Sequence, residues 1–265
     1  MYPLTNHNLW AFILGGSSGF GLATAKKLAQ HKYNIFIVHR DPRSAMPTIE
    51  AEFEKIKQHG NQFISVNTNA LTEEGETKII ETLKANLGNE QKISLFLHSI
   101  AWGNLKYLNP TNNNVLTKED LDITLYAMGS SLATWSIKLL QLNLFNPKAR
   151  IIGLTSQGSQ IAWQGYAAVG AAKAVLETMC RYLATELAPF DITTNLINAG
   201  VTDTPALRAI PNYQNFMQQS IHKSPFKRLT EPEDVANVIY LLTLPEANWI
   251  NGTIIRVDGG EQISY

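Results

Sequence analysis

The chain has 265 residues, 45% of them hydrophobic and 17% charged, which is length enough to bury one large core or two small ones. Lys plus Arg and Asp plus Glu both count 22, so bulk charge points to no nucleic-acid partner and no anionic membrane. A single cysteine, Cys180, rules out an internal disulfide and a cysteine metal cluster; together with an opening MYPLTNHNLW unlike a signal peptide and no apolar run long enough to span a bilayer, it predicts a cytoplasmic chain with no metal site.

Apolar runs and helical periods alternate along the chain. LWAFIL (9–14) reads as a buried strand, followed by GGSSGFG (15–21) and the helical LATAKKLAQ (22–30). NIFIVHR (34–40) is a second strand, 47–59 a helix stopped at Gly60, QFISVN (62–67) a third strand, and 73–87 a helix stopped at Gly88. ISLFLHSIA (93–101) is a fourth strand, and an Asn-rich loop occupies 103–120. A helix near 119–142, the strand RIIGLTS (150–156), a helix over 166–188 and the strand ITTNLINAG (192–200) follow. A polar segment (201–229) precedes a helix at 231–244 with Pro232 in its first turn, and TIIRVDGG (253–260) closes the pattern. Seven aliphatic strands separated by helices, with no repeat and no linker, predict one α/β domain: a doubly wound, Rossmann-type parallel sheet covered on both faces.

The first strand-to-helix turn carries Gly15, Gly19 and Gly21, with Ser17, Ser18 and Phe20 between them. Glycines there let backbone N–H groups and a helix N-terminus approach a pyrophosphate. At the end of the second strand an NAD site would present a carboxylate to the ribose; here stand His39 and Arg40, with Arg43 close by. A guanidinium at Arg40 suits a 2′-phosphate through charge-assisted hydrogen bonds, which favours NADPH over NADH, although Asp41 could pair with it.

Tyr166 and Lys173 lie seven residues apart at the start of the long helix. Two helical turns would put them on one face with polar tips about 10 Å apart along the axis. A phenol and an ammonium so placed can act as acid and electrostatic partner; taken alone, the pair is more often a packed ring and a solvated amine.

With the glycine loop, Tyr166 and Lys173 together, the chain resembles the short-chain dehydrogenase/reductase superfamily from about Leu9 to Gly260. VDGG (257–260) and INAG (197–200) are similar to its closing turn and to the segment after its sixth strand. Most of the superfamily spaces Tyr and Lys as Y-x3-K, but four residues before Lys173 stands Val169, which cannot donate a proton. Tyr166-x6-Lys173 instead resembles the enoyl-acyl-carrier-protein reductase branch. So do His98-Ser99-Ile100-Ala101 and DITLYAMG (122–129), where Asp122 replaces an Asn common elsewhere. Ser156 stands where many enoyl reductases have a second Tyr, and a divergent NADPH-dependent bacterial branch similarly has Ser there. Ser156 also keeps the superfamily's usual distance to position 169, so ligand contact and turn residue both remain open for it.

The resemblance implies Tyr166, Lys173 and Ser156 as catalytic residues, with Lys173 also holding the nicotinamide ribose. It implies cofactor contacts at the glycine loop, His39, Arg40, Asn69, Ala70, Ser99, Ile100, Ala101, Gly200, Thr202 and Thr204. The activity implied is NADPH-dependent reduction of the C=C bond of 2-enoyl thioesters on acyl carrier protein or coenzyme A, in acyl-chain biosynthesis. A ketone, imine or 3-oxoacyl reductase of the same fold, or a non-catalytic NADPH-binding protein, are the alternatives. Segment 201–229 falls where relatives carry a substrate lid, with Leu207, Ile210, Phe216 and Met217 for an acyl chain and Lys223, Lys227 and Arg228 for an acidic carrier; an amphipathic surface helix would look the same. Trp102 and Trp163 flank the expected pocket. A homotetramer is implied, through the helices at 119–142 and 166–188.

Overall fold

The computed structural model describes residues 9–87, 91–210 and 212–264; the opening segment and the expected stop at Gly88 lie outside them. Seven strands form one all-parallel sheet in the order β3-β2-β1-β4-β5-β6-β7. They are β1 (Leu9–Leu14), β2 (Asn34–His39), β3 (Phe63–Asn67), β4 (Lys92–His98), β5 (Phe145–Thr155), β6 (Thr193–Ala199) and β7 (Ile254–Val257). The central strands are apolar without alternation because both their faces are covered.

One face packs Ile79 and Leu83 of α3 (Glu73–Asn86), Trp135 and Leu139 of α5 (Ser131–Gln141), and Leu176, Cys180 and Leu183 of α6 (Ala167–Glu186). The other packs Leu28 of α1 (Gly19–Gln30), Phe53 and Ile56 of α2 (Met46–Lys57), and Val235 and Ile239 of α9 (Pro232–Thr243). Cys180 is buried, its thiol pushed up to about 12 by burial, so it behaves as a small core residue. Among the described residues no helix is long and apolar enough to cross a membrane.

The sheet order reverses between β1 and β4, which opens a crevice above the carboxyl ends of these two strands. Two elements depart from the sequence reading. β5 begins five residues early, at Phe145, because Phe145 pairs with Ile93 before a bulge with Lys148 at φ 61° restores the register at Leu95 and Arg150. The single helix expected at 119–142 is α4 (Lys118–Leu125), a π turn at Tyr126–Ser130, and α5. Inserting a π turn rotates everything after it relative to a regular helix. The segment 201–229 holds two helices, α7 (Pro205–Arg208) and α8 (Tyr213–Lys223), and closes at its base where the Thr230 N–H donates to Val201 O (3.1 Å).

Candidate active site

The crevice is a cavity of about 490 Å³. It is lined by Gly15, Ser17, Ser18, Gly19 and Phe20 of the glycine loop, by His39 and Arg40, by Asn69 and Ala70, and by Ser99, Ile100 and Ala101. Ser156, Tyr166, Lys173, Gly200, Thr202 and Thr204 complete it, so residues from six loops converge on one volume. Gly21 is the site residue expected from sequence that does not face the cavity. A Cβ there would lie 2.1 Å from Gly15 O, so its glycine serves close packing of the loop on α1.

The loop has the shape of an anion cradle. Gly15 (φ +84°) and Gly19 (φ +50°) turn the chain, and a Cβ on Gly15 would meet Ser99 O at 2.5 Å. Ser18 caps α1 in extended conformation without a side-chain bond, and no acid lies in the first turn, so the positive helix end is not neutralised from within. Thr204 sits against Gly19: a Cβ there would be 3.3 Å from Thr204 Cγ2. These features fit a dinucleotide pyrophosphate. At the other end Asp41 does not pair with Arg40; its Oδ2 lies 2.8 Å from His39 Nδ1. The Arg40 guanidinium instead stands over the Trp102 ring, 4.6 Å from the centroid. Arg43 is exposed and away from the cavity. Asn69 shapes its own loop, accepting from the Leu71 N–H at 3.1 Å.

Tyr166 opens the helix rather than sitting inside it, and with Lys173 it lines one cavity. It is the N-cap of α6 (φ −107°, ψ 4°), following Gly165 at φ +74°, so the phenol leaves before the helix begins. Its ring is fixed by contact with Gly158, where a Cβ would fall 2.4 Å from Cε1. Burial pushes the phenol above its ordinary value, and a hydrogen bond with the Ser156 hydroxyl partly opposes that shift. Ser156 also accepts from the Gly158 N–H (3.2 Å), so it both shapes the turn and touches the phenol.

Lys173 is buried, and its Nζ donates to Leu154 O at 2.7 Å. Burial lowers it to about 8, and the Glu177 carboxylate one turn along opposes that fall. Glu177 Oε1 accepts from Thr155 Oγ1 and Ser159 Oγ, both at 2.7 Å, tying β5 and the Ser156 turn to α6. His98 is buried and held down to about 3 by burial and then by the Lys173 charge. The Ser131 hydroxyl spends its proton on Ala127 O (2.9 Å), so the His98 Nε2–H donates to Ser131 Oγ (2.7 Å). His98 is thus a neutral strut behind Ser99.

Beyond Tyr166 the walls turn apolar with Leu105, Met128, Trp163, Val169 and Phe216. Trp163 stands edge-on to Tyr166 (5.4 Å, 83°) and Phe216 of α8 edge-on to Trp163 (5.9 Å, 85°). Leu207 and Ile210 line the cavity, whereas Met217, Lys223, Lys227 and Arg228 do not; Arg228 pairs with Asp234 at 2.6 Å. Asp122, set by resemblance at an active-site position, is exposed and paired with Lys118 at 2.6 Å. α4 turns it outward, and Met128, within the π turn, faces the cavity. Glu177 and Glu261 went unread in the sequence because their partners lie 18 to 60 residues away.

The family model described as enoyl-(acyl carrier protein) reductase matches residues 15–262. The chain is 26% identical over 255 residues to 1-cyclohexenylcarbonyl-CoA reductase of Streptomyces collinus, covering 96% of this chain and 86% of that protein. It is 26% identical over 266 residues to the enoyl-[acyl-carrier-protein] reductase [NADH] of Enterococcus faecalis, covering 98% of this chain and 99% of that one. Among solved structures, the enoyl-[acyl-carrier-protein] reductase (NADH) of Aquifex aeolicus superposes with a TM-score of 0.81 at 22% identity, covering 98% of each chain. The angucycline C-6 ketoreductase LanV with bound NADP superposes with a TM-score of 0.79 at 22% identity over 96% of each, so the fold alone is shared with enzymes of different substrates.

Proposed function

Since the chain belongs to the short-chain dehydrogenase/reductase superfamily, in the family described as enoyl-(acyl carrier protein) reductase, we propose that it reduces the C=C bond of 2-enoyl thioesters with NADPH. The observation that carries this reading is Tyr166 at the N-cap of α6, ahead of Lys173 by almost two turns, with the buried, non-donating Val169 at the position from which most of the superfamily supplies its acid. The 3-oxoacyl, ketone and imine readings lack that support.

When bound, NADPH supplies the hydride to the β-carbon. Gly15, Ser17, Ser18 and Gly19 would hold its pyrophosphate, Arg40 its 2′-phosphate, Asn69 and Ala70 the adenine side, and Thr202 and Thr204 the nicotinamide side. Arg40 would leave Trp102 to do so, and the pairing of Asp41 with His39 keeps the acid off the guanidinium. The name of the Enterococcus relative gives NADH, so NADPH rests on Arg40 alone.

Charge then develops on the thioester oxygen, two carbons from the hydride's target. A donor is needed there, and the Tyr166 hydroxyl supplies it. The Ser156 hydroxyl steadies the phenol as its proton moves. Lys173, protonated below about 8, lends positive potential to the phenol and would hold the nicotinamide ribose. Trp163, Phe216 and Met128 exclude water from the reacting oxygen. The segment 201–229 acts as the lid, and the carrier is acyl carrier protein or coenzyme A. The enzyme works as a cytoplasmic homotetramer in acyl-chain biosynthesis.

NADPH oxidation assayed with 2-enoyl and 3-oxoacyl thioesters on each carrier tests this. Turnover of the enoyl substrates, abolished in Tyr166→Phe, is expected; turnover of the 3-oxoacyl substrates alone would overturn it. Sedimentation as a monomer would remove the tetramer.

A further inference from the structure

The carboxylate of Glu261, in the turn that follows β7, is buried yet receives only neutral donors. Its Oε2 accepts from the Val201 N–H (3.1 Å), and its Oε1 accepts from Ser220 Oγ (2.7 Å). Val201 is the first residue of the lid, and its carbonyl accepts from Thr230 at the lid's far end (3.1 Å). Ser220 lies mid-lid on α8 and is its one fully buried residue. One side chain from the C-terminal turn therefore grips both the hinge and the middle of the lid. The turn is itself stiff: Asp258 accepts from the Gly260 N–H (2.9 Å) and the Gln262 N–H (3.0 Å). Gly200 is what lets the side chain through, since a Cβ there would lie 2.9 Å from Glu261 Oε2 and 2.3 Å from Thr230 Oγ1.

Ser220 is one helical turn from Phe216, so holding Ser220 also sets Phe216 against Trp163, and Trp163 against Tyr166. The branch through Ser220, Phe216 and Trp163 runs along the apolar wall, whereas the branch through Val201 leads to Gly200, Thr202 and Thr204, the last of which packs against Gly19. We propose that Glu261 is a positioning residue that clasps the lid over the cavity, its bond to Ser220 setting KM for the thioester through Phe216 and Trp163. The identity of that substrate rests on the enoyl-reductase reading; the clasp does not. The clasp needs two hydrogen-bonding atoms rather than a charge. A glutamine satisfies it, with its carbonyl accepting from Val201 and its amide donating to the Ser220 hydroxyl.

The test compares Glu261→Ala, Glu261→Gln and Ser220→Ala by amide hydrogen exchange over 213–223, by NADPH affinity, and by steady-state kinetics with a 2-enoyl thioester. Losing the Ser220 bond is expected to speed exchange in α8 and to raise KM, each about tenfold, with kcat and NADPH affinity within about twofold of wild type in Ser220→Ala; Glu261→Ala, which also frees Val201 beside Gly200 and Thr202, should add a loss of NADPH affinity. Glu261→Gln should restore exchange and KM. Ser220→Ala leaves the Val201 bond in place and should reproduce the faster exchange even where Glu261→Ala fails to fold. Unchanged exchange in both Ala variants, a Gln variant as impaired as Ala, or NADPH affinity falling in step with KM in Ser220→Ala would overturn the proposal. Absence of enoyl turnover in the wild type would sink the substrate reading while leaving the exchange result to judge the clasp.

Discussion

The two ends of the cavity are built by different means. The nucleotide end is made of backbone: Gly15, Gly19 and Gly21 let main-chain atoms approach each other, and the N-terminus of α1 supplies the charge. The acyl end is made of side chains from elements far apart in sequence, with Phe216, Trp163 and Tyr166 in edge-on succession and two carboxylates bracing them. A backbone cradle tolerates almost no substitution and gives the same ligand class on every such fold. A side-chain wall can be altered one residue at a time, which is how one fold serves both enoyl and keto substrates.

Substitutions at each end should therefore fail differently. Gly21→Ala drives a methyl into Gly15 O, so cofactor binding should vanish and stability fall by about 3 kcal/mol, read by titration calorimetry and thermal melting. A Gly21→Ala protein that still binds NADPH would break the contrast at its firmest point. Tyr166→Phe should lose about 10²–10³-fold in kcat with NADPH affinity intact, because only the developing oxyanion loses its donor. Arg40→Ala should weaken NADPH by about 10–100-fold and leave NADH unchanged, since only the 2′-phosphate loses its partner. Trp163→Ala should raise KM for enoyl thioesters about tenfold without touching either nucleotide.

The smallest effect is in pH. Lys173 must be charged to act, so kcat/KM should fall as pH rises through about 8. Because burial sets the folded value below the ordinary 10.5, the unfolded chain holds more protons between those limits, and the Lys173 contribution to stability rises as activity declines. Glu177→Gln removes the charge that supports the ammonium, and the falling limb should move to lower pH. A limb that stays put would remove Glu177 from the electrostatics of the site.

The same division explains what the sequence discloses. The alternation of apolar runs and helical periods is local, so the seven strands and their parallel pairing were readable, as was the glycine loop; the strand order was not. The start of β5 was not, because Phe145 joins the sheet only through a bulge that depends on its partner Ile93. The π turn at Tyr126–Ser130 interrupts a helix whose composition gives no sign of it; Met128 within it lines the cavity, while Asp122 on α4 ahead of it is exposed and paired with Lys118. Tyr166 and Lys173 were legible as a pair, but not that Tyr166 would be the N-cap of α6, following Gly165 at φ +74°. Glu261 was invisible, for its meaning lies in Ser220, 41 residues earlier in the chain.

Under the proposed function, hydride goes to the carbon β to a thioester rather than to a carbonyl carbon. NADPH deuterated at its transferable position, incubated with the enzyme and a mixture of 2-enoyl and 3-oxoacyl thioesters, reports the destination by NMR of the products. Deuterium at the β-carbon of a saturated acyl thioester, with its carbonyl retained, is expected. Deuterium on a carbinol carbon, with the enoyl thioester recovered unchanged, would contradict it.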